Sequence, residues 1–336
     1  MRRSILLAAL LQVACDGCGH SPPAATTDVP ARPSVTRAPS AAPRGSAPAA
    51  PSASADPGPL LPAKELTWVY DTTPTGPIQV VISLPVRRES QRFPVLVALH
   101  GRGEAFKGPA RGARGWIDDY WLPKAIERLH EPPLTKKDFL DIVDEARLAK
   151  LNASLEKEPY HGLIVVCPYT PDVLAGDKPF SAVTPFATWL VEELLPRVKR
   201  ETPAIGKPEA TGIDGVSLGG RVSLLTGLER PEAFGDVATL QAAFDSEDAP
   251  ELTRRARAAT TRNPKLELRL LTSDGDFFLR ATRTISKAWT DAGIAHQFVE
   301  IPGPHDYPFN RGPGAYEMLL FHDRVLRGEP PPIPQP

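Results

Sequence analysis

One serine lies in a spacing that suits a nucleophile. Gly215, Ser217 and Gly219 form the pattern G-x-S-x-G. This pattern places a serine on a sharp turn between a strand and a helix, where small neighbours let a strained backbone form without clashes. The strand candidate 211–214 precedes the motif, and the helical run 222–228 follows it. Ser217 is therefore predicted to be a nucleophile, and the alternative is a glycine-rich turn whose serine only caps a helix.

A serine hydroxyl is rarely ionised at neutral pH, so it needs a base, and three histidines follow it in the chain. His296 falls within a strand pattern and His322 within the last predicted helix. His305 lies in a loop between a predicted strand and a predicted helix. Folds of alternating strands and helices place catalytic groups in the loops that leave strand ends, so His305 is the predicted base.

The third member of such a triad is an acid that orients the histidine, and it lies between the serine and the histidine in the chain. Asp274 and Asp276 both follow a predicted strand directly. Only one of them can hold the imidazole, and the other is then a turn residue, a common use of Asp beside Gly. Asp245, at the end of the preceding strand, is a third candidate.

Acyl transfer also needs backbone donors for the oxyanion that develops on the substrate. The N–H of Leu218, the residue after the nucleophile, is predicted to be the first donor. The segment 100–103 directly follows a core strand, and the N–H of Arg102 is predicted to be the second. His100 precedes the serine in the chain, so we interpret it as structural.

Strand and helix patterns alternate through residues 63–328, which are predicted to form the folded domain. Apolar runs at 93–99, 163–167 and 237–240 are typical of strands buried on both faces. The stretch 265–272 alternates charged residues with leucine, which favours a strand nearer an edge. The alternation predicts an α/β fold with a mainly parallel central sheet and helices on both faces.

The N-terminus has the layout of an export signal. Arginines precede an apolar stretch at 5–11, which is too short to span a bilayer, so residues 1–19 are interpreted as a signal peptide. Residues 11–15 resemble a bacterial lipobox, although Gln12 replaces the usual aliphatic residue. Cys15 is therefore a predicted lipidation site, and ordinary signal cleavage is the alternative.

Proline-rich segments flank the predicted domain. Residues 20–62 are mostly proline, alanine, serine and threonine, a composition that cannot bury enough apolar surface to fold. They are predicted to be a disordered, extended linker, and residues 329–336 a proline-rich tail. The formal net charge of -1 gives no electrostatic reason to expect nucleic acid as a partner.

Residues 65–328 resemble the bacterial putative esterase family of α/β-hydrolases, which includes esterase D-like and feruloyl esterase-like enzymes. The resemblance rests on LHG at 99–101, EELLP at 192–196, GVSLGG at 215–220, PEAFG at 231–235 and PGPHDY at 302–307. It implies an α/β-hydrolase fold and cofactor-free hydrolysis of esters. In this family a glycine ends the helix after the acid, and aligning that glycine with Gly293 implies Asp276 as the acid.

The resulting prediction is serine-dependent hydrolysis of carboxylic esters through an acyl-enzyme on Ser217. The expected substrate is a small-molecule or polymer-attached ester, with no metal and no cofactor. Two other classes stay open: a non-catalytic envelope lipoprotein that keeps only the fold, and an acyltransferase or peptidase that uses the same triad. The expected location is outside the cytoplasm, either secreted or attached to a membrane through Cys15 as a periplasmic or outer-surface lipoprotein.

The long segment 104–159 departs from the family pattern and is predicted to be an insertion that could cover the mouth of the site. Trp116, Tyr120 and Trp121 cluster within it. They are candidates for lining that mouth and favouring short or aromatic groups over long lipid chains. The alternative is that they form a small core of the insertion itself.

Overall fold

The computed structural model describes residues 59–175 and 180–333, and an eight-stranded sheet forms its centre. The strands are β1 (Lys64–Tyr70), β2 (Ile78–Leu84), β3 (Val95–Leu99), β4 (Ile164–Pro168), β5 (Thr211–Gly215), β6 (Asp236–Leu240), β7 (Glu267–Gly275) and β8 (Gln297–Pro304). Every apolar run that predicted a strand lies in this sheet.

The strands are arranged in the order β8-β7-β6-β5-β3-β4-β2-β1. Strands β3 to β8 run parallel to one another, whereas β2 pairs antiparallel with both β1 and β4. β7 lies next to the edge strand β8, as its mixed sequence predicted. The chain order reverses around β3 and β5, and such a reversal opens a crevice at the carboxyl ends of those strands.

Helices cover both faces of the sheet, which confirms the predicted fold class. They are α1 (Arg102–Ala105), α2 (Gly108–Gly112), α3 (Leu122–Leu129), α4 (Glu145–Lys157), α5 (Thr184–Trp189), α6 (Leu195–Glu201), α7 (Leu218–Glu229), α8 (Ala249–Arg262), α9 (Leu279–Asp291), α10 (Tyr307–Phe309) and α11 (Ala315–Val325). Turns of π-helix are Gly115–Asp119, Leu190–Leu194 and Asn310–Gly314.

Two hydrophobic cores lie on opposite faces, because successive strand residues point to opposite sides. In β3, Val95, Val97 and Leu99 enter the core that contains α5 to α9. Leu96 and Ala98 enter the second core, together with residues of α3, α4 and α11. The sheet is thus buried on both sides, which explains why its parallel strands are continuously apolar.

The predicted linker extends slightly too far. Leu60–Leu61 forms a short antiparallel pair with Arg87–Arg88, so the end of the segment 20–62 belongs to the fold. Backbone pairing to a neighbouring strand orders these residues, and composition alone does not reveal it.

The predicted signal peptide, Cys15 and most of the linker lie outside the described residues. None of the helices within 59–175 and 180–333 is both long and apolar enough to cross a membrane.

The segment 104–159 packs as part of the domain. Trp116 and Tyr120 are buried in the second core, whereas Trp121 is more than one-third exposed. Trp116 therefore belongs to the core of the segment, the alternative that the sequence left open. Tyr120 belongs to this core and also reaches the site described next.

Candidate active site

Ser217 lies on the sharp turn that its motif predicted. The turn joins β5 to α7, and the backbone at Ser217 has φ of 57° and ψ of −114°. A positive φ is strained for a residue with a side chain, and such strain clusters at functional sites. The backbone is held in place by hydrogen bonds, since Ser217 N–H donates to Leu240 O at 2.9 Å and Ala243 N–H donates to Ser217 O at 3.0 Å.

The glycines of the motif are required by close backbone approach. A Cβ on Gly219 would lie 2.3 Å from the carbonyl oxygen of Leu99, and one on Gly215 would lie 2.5 Å from the backbone of Gly219. Both distances are far below van der Waals contact. Small residues on each side of the serine therefore let the turn pass tightly over the end of β3.

His305 and Asp276 form a hydrogen-bonded pair at neighbouring strand ends. His305 follows β8, Asp276 follows β7, and Nδ1 of His305 donates to Oδ1 of Asp276 at 2.7 Å. The Asp276 side chain is fully buried and also accepts from Thr272 Oγ1 at 2.7 Å and from Phe278 N–H at 3.0 Å. These bonds orient the carboxylate towards the histidine and leave Nε2 of His305 for another partner.

The other two acid candidates have structural contacts of their own. Asp274 Oδ1 accepts from the N–H of Gly303 at 2.9 Å, which ties the end of β7 to β8. Asp245 forms a capping box with Asp248 at the start of the turn that leads into α8. The structure thus brings Asp276 to the histidine, and it uses Asp274 as a turn residue.

The two predicted oxyanion donors begin helices that follow strand ends. Leu218 is the first residue of α7, and Arg102 is the first residue of α1, directly after β3. His100 is buried between them and the core; it donates from Nδ1 to Gly101 O at 2.8 Å and accepts at Nε2 from Thr170 N–H at 2.9 Å. Burial lowers the pKa of His100 to about 4, so the imidazole is neutral. His100 is structural, as expected.

Ser217, His305 and Arg102 line one small cleft at the carboxyl ends of the strands. Its volume is about 190 Å³. A larger hollow of about 810 Å³ lies at the amino ends of β5, β6 and β7, but neither Ser217 nor His305 reaches it. The chemistry-bearing residues therefore meet where an α/β sheet usually binds its ligand.

Comparison with known proteins shows what this geometry is similar to. Residues 177–308 match the model of the putative esterase family, and this segment contains Ser217, Asp276 and His305. The chain has an α/β-hydrolase fold. The resemblance inferred from the sequence is thereby confirmed, and the family match supports the predicted enzyme class, a serine ester hydrolase.

Solved structures share this α/β-hydrolase fold at low sequence identity. A ferulic acid esterase is similar with a TM-score of 0.58 and 16% identity over 79% of this chain and 99% of its own. S-formylglutathione hydrolase from Staphylococcus aureus has a TM-score of 0.53 and 15% identity, over 78% of this chain and 99% of its own. A fluorophosphonate-binding serine hydrolase from the same organism gives 0.52 and 14%, with coverage of 78% and 99%. No curated protein matches the sequence.

The cleft contains four polar residues that sequence reasoning did not assign to it, Glu104, Asp306, Tyr307 and Asn310, together with Tyr120, a predicted candidate for lining the mouth. Their positions gave a partial signal, since Glu104 follows the Gly-Arg-Gly of the oxyanion segment and Tyr307 lies two residues after the predicted base. Burial and the neighbouring Glu104 raise the pKa values of both tyrosines, so both hydroxyls are protonated donors. Across the described ranges, no group of three or more His, Cys, Asp or Glu residues is arranged to hold a metal ion.

Behind the nucleophile strand, His322 lies between two buried carboxylates. Its Nε2 is 3.1 Å from Asp214 Oδ2, and its Nδ1 is 2.8 Å from Asp236 Oδ1. Although burial alone would lower it, the two carboxylates raise the pKa of His322 to about 9. The residue is therefore charged at neutral pH and supports β5 and β6 from α11.

Proposed function

We propose that this chain hydrolyses carboxylic esters through an acyl-enzyme on Ser217. His305 accepts the proton of the serine hydroxyl as Oγ attacks the ester carbonyl, and it then protonates the leaving alcohol. Water, activated by the same histidine, attacks the acyl-enzyme, which releases the acid and restores Ser217. Asp276 keeps the Nδ1–H tautomer of His305 and stabilises its charged form.

One observation carries this proposal: a strained serine and a histidine held by a buried aspartate line the same cleft, and the three residues come from three different strand ends. Ser217 follows β5, Asp276 follows β7 and His305 follows β8. Positive φ at the serine is the geometry of a nucleophile turn, and a buried carboxylate behind a histidine that lines the cleft is the arrangement that orients a base. The match of residues 177–308 to an esterase family supports the same chemistry.

The N–H groups of Leu218 and Arg102 are the proposed oxyanion donors. Leu218 begins α7, so its N–H belongs to the first turn, whose backbone donors have no partner within the helix. Arg102 lines the cleft from the end of β3. Donors on both sides of Ser217 would stabilise the charge that develops during both acylation and deacylation.

A fluorophosphonate probe tests the nucleophile directly. We expect one covalent adduct, mapped by peptide mass spectrometry to Ser217, and loss of both the adduct and p-nitrophenyl acetate hydrolysis in Ser217→Ala. Loss of a triad member lowers kcat by several orders of magnitude in serine hydrolases. Ser223→Ala is the matched control, because Ser223 is a buried serine of α7 whose hydroxyl, among the described residues, donates to the backbone carbonyls of Gly220 and Ala238.

The outcomes separate the competing functions. A folded wild-type protein that neither reacts with the probe nor turns over any ester of a broad panel would favour a non-catalytic role. Adduct formation on Ser217 with acyl transfer to added alcohols or amines, and little hydrolysis, would favour an acyltransferase. Undiminished turnover in folded Ser217→Ala would remove the proposal altogether.

We also propose that the protein is exported and lipidated on Cys15. This rests on the sequence alone: a basic start, a short apolar stretch, a lipobox-like segment and a proline-rich spacer. Mass spectrometry of the mature N-terminus is the test. A mature chain that begins with a diacylated or triacylated Cys15 is expected, and a chain that retains Met1, or an unmodified terminus elsewhere, would contradict lipidation.

A further inference from the structure

Glu104 is a buried carboxylate inside the cleft that the reaction scheme above does not use. Only 1% of the residue is exposed, although it lies on the short helix that follows β3. A carboxylate in such a position is costly unless every oxygen is paired. Here Oε2 accepts from the hydroxyl of Tyr120, and Oε1 accepts from the hydroxyl of Tyr307 at 2.6 Å. Lys107 Nζ lies 3.5 Å from Oε1.

The surrounding backbone is shaped to admit this side chain. A Cβ on Gly115 would lie 2.7 Å from Cγ of Glu104, and one on Gly101 would lie 3.2 Å from its Oε2. A Cβ on Gly112 would lie 2.6 Å from the Glu104 carbonyl oxygen. Gly101 and Gly115 thus make room for the Glu104 side chain, and Gly112 makes room for its backbone carbonyl, so the position of Glu104 is closely specified by packing.

Through Tyr120, the carboxylate reaches the loop that carries a proposed oxyanion donor. The N–H of Gly101 donates to the Tyr120 hydroxyl at 3.2 Å, and the carbonyl of Gly101 accepts from His100 Nδ1 at 2.8 Å. Both peptide units that flank Gly101 are therefore held by side chains. In a trans peptide unit the C=O and N–H point in opposite directions, so holding the Gly101 carbonyl against His100 directs the N–H of Arg102 away from His100.

Through Tyr307, the same carboxylate reaches the loop of the catalytic base. Tyr307 begins α10, two residues after His305, and its hydroxyl meets Glu104 across the cleft. Residues 203 apart in sequence are joined by this hydrogen bond. Glu104 therefore links the loop of the oxyanion donor to the loop of the base, on either side of the bond to be broken.

We propose that Glu104 is a positioning residue that sets the distance between the Arg102 oxyanion donor and the His305 base through its two tyrosines. The inference rests on the proposed ester hydrolysis. Catalytic constellations require positions correct to about 0.5 Å, which two separate loops do not maintain without a cross-link. The carboxylate suits this role because it accepts two hydroxyl protons at once, and an amide has only one oxygen to offer.

The test compares the wild-type enzyme with Glu104→Gln, Tyr307→Phe and Tyr120→Phe. We expect kcat for p-nitrophenyl acetate to fall about 10- to 100-fold in Glu104→Gln, below the loss from deleting an oxyanion donor, while KM changes less than about 3-fold. Each tyrosine variant removes one hydroxyl and is expected to lower kcat less than Glu104→Gln. If Glu104→Gln does not fold, the two tyrosine variants test the proposal in its place.

A second readout separates positioning from general stability. A trifluoromethyl ketone adds to Ser217 and places an oxyanion at the same donors, so its Ki should rise in proportion to the loss of kcat/KM. Glu317→Gln is the matched control, because Glu317 is an equally buried carboxylate held by Arg147 and Arg269 away from the cleft. We expect it to lower Tm and to leave kcat and Ki unchanged.

Two failures are distinguishable. If the wild-type protein hydrolyses no ester and does not react with the fluorophosphonate probe, the proposed function fails. If the wild-type protein is active while folded Glu104→Gln and Tyr307→Phe both keep wild-type kcat and Ki, the positioning role of Glu104 is overturned. A rise in KM with unchanged kcat in these variants would also overturn the positioning role, because that pattern indicates that Glu104 contributes to substrate binding.

Discussion

His305 Nδ1 and Asp276 Oδ1 lie 2.7 Å apart, and the carboxylate is fully buried beneath the imidazole. Asp276 is also anchored by Thr272 and by the N–H of Phe278. The acid is therefore fixed by its own turn, and the histidine is oriented by the acid. This order of support makes the identity of the acid testable by single substitutions.

Asp276→Asn is expected to lower kcat by about 10³- to 10⁴-fold, because an amide favours the wrong histidine tautomer and leaves Ser217 without a base. Asp274→Asn is the matched control, since Asp274 contacts only the backbone of Gly303 among its described hydrogen bonds. It should retain near wild-type kcat. The test is the steady-state kcat of each variant, with Tm measured to exclude a folding defect. A large loss of kcat in Asp274→Asn together with near wild-type kcat in Asp276→Asn would assign the acid to Asp274 instead.

Gly219→Ala is expected to lower the free energy of unfolding by about 3 kcal/mol or more, because the added methyl overlaps the backbone at the end of β3. The distance from its Cβ to Leu99 O would be 2.3 Å. Gly206→Ala serves as the control, since a Cβ there meets nothing within 4 Å. Urea unfolding of both variants is the measurement. Equal stabilities would show that the turn can relax away from β3.

The free energy of unfolding is expected to fall as pH rises from about 6.5 to about 9, through deprotonation of His322. Its folded pKa is raised to about 9 from 6.5. A raised histidine pKa contributes stability that is complete below the unfolded value and is lost as pH passes the folded value. The charged groups that face it are Asp214 and Asp236, and the charge of Arg269 acts on Asp236.

His322→Gln isolates this contribution. The variant should be less stable than wild type at pH 7, because two buried carboxylates lose their cationic partner. The difference between the two proteins should shrink as pH approaches 9. His161→Gln is the control, since the His161 side chain is half exposed. Denaturant titrations at several pH values test this, and a pH-independent difference would show that His322 is not the group responsible.

Short and aromatic esters are expected to be better substrates than long-chain esters. The cleft has about 190 Å³, so most of a decanoyl chain would stay in water and gain little burial energy. An aromatic ring borders His305. The ring of Phe277 lies 5.2 Å from that of His305, and Phe277 is 80% exposed. Values of kcat/KM for acetyl, butyryl, benzoyl and decanoyl esters test this, and a maximum at decanoyl would contradict it.

Phe277→Ala sharpens the same prediction. Removal of the ring should lower kcat/KM for the benzoyl ester several-fold more than for the acetyl ester, because only the larger group reaches the exposed ring face. Equal losses for both esters would instead indicate that Phe277 supports His305. The acetyl ester is thus the internal control.

Local patterns were enough to predict the sheet, its flanking helices and the positions of Ser217 and His305 at strand ends. The turn at Ser217 depends on glycines within two residues of the serine, so neighbouring positions in the sequence are enough to predict it. His305 could be assigned because a strand and a helix bracket it. Both constraints act between residues that are close in the chain, so they can be recognised in a single sequence.

Contacts between distant segments required the tertiary structure. Asp274 and Asp276 occupy one short turn, and only the path of that turn decides which carboxylate faces the histidine and which bonds to Gly303. The bond from Tyr307 to Glu104 spans 203 positions, and that from His322 to Asp214 spans 108. No local periodicity encodes such pairs, because each depends on how parallel strands order themselves in the sheet. The sequence by itself therefore determined the fold class and the turn that carries Ser217, and the strand order decided which buried charges meet.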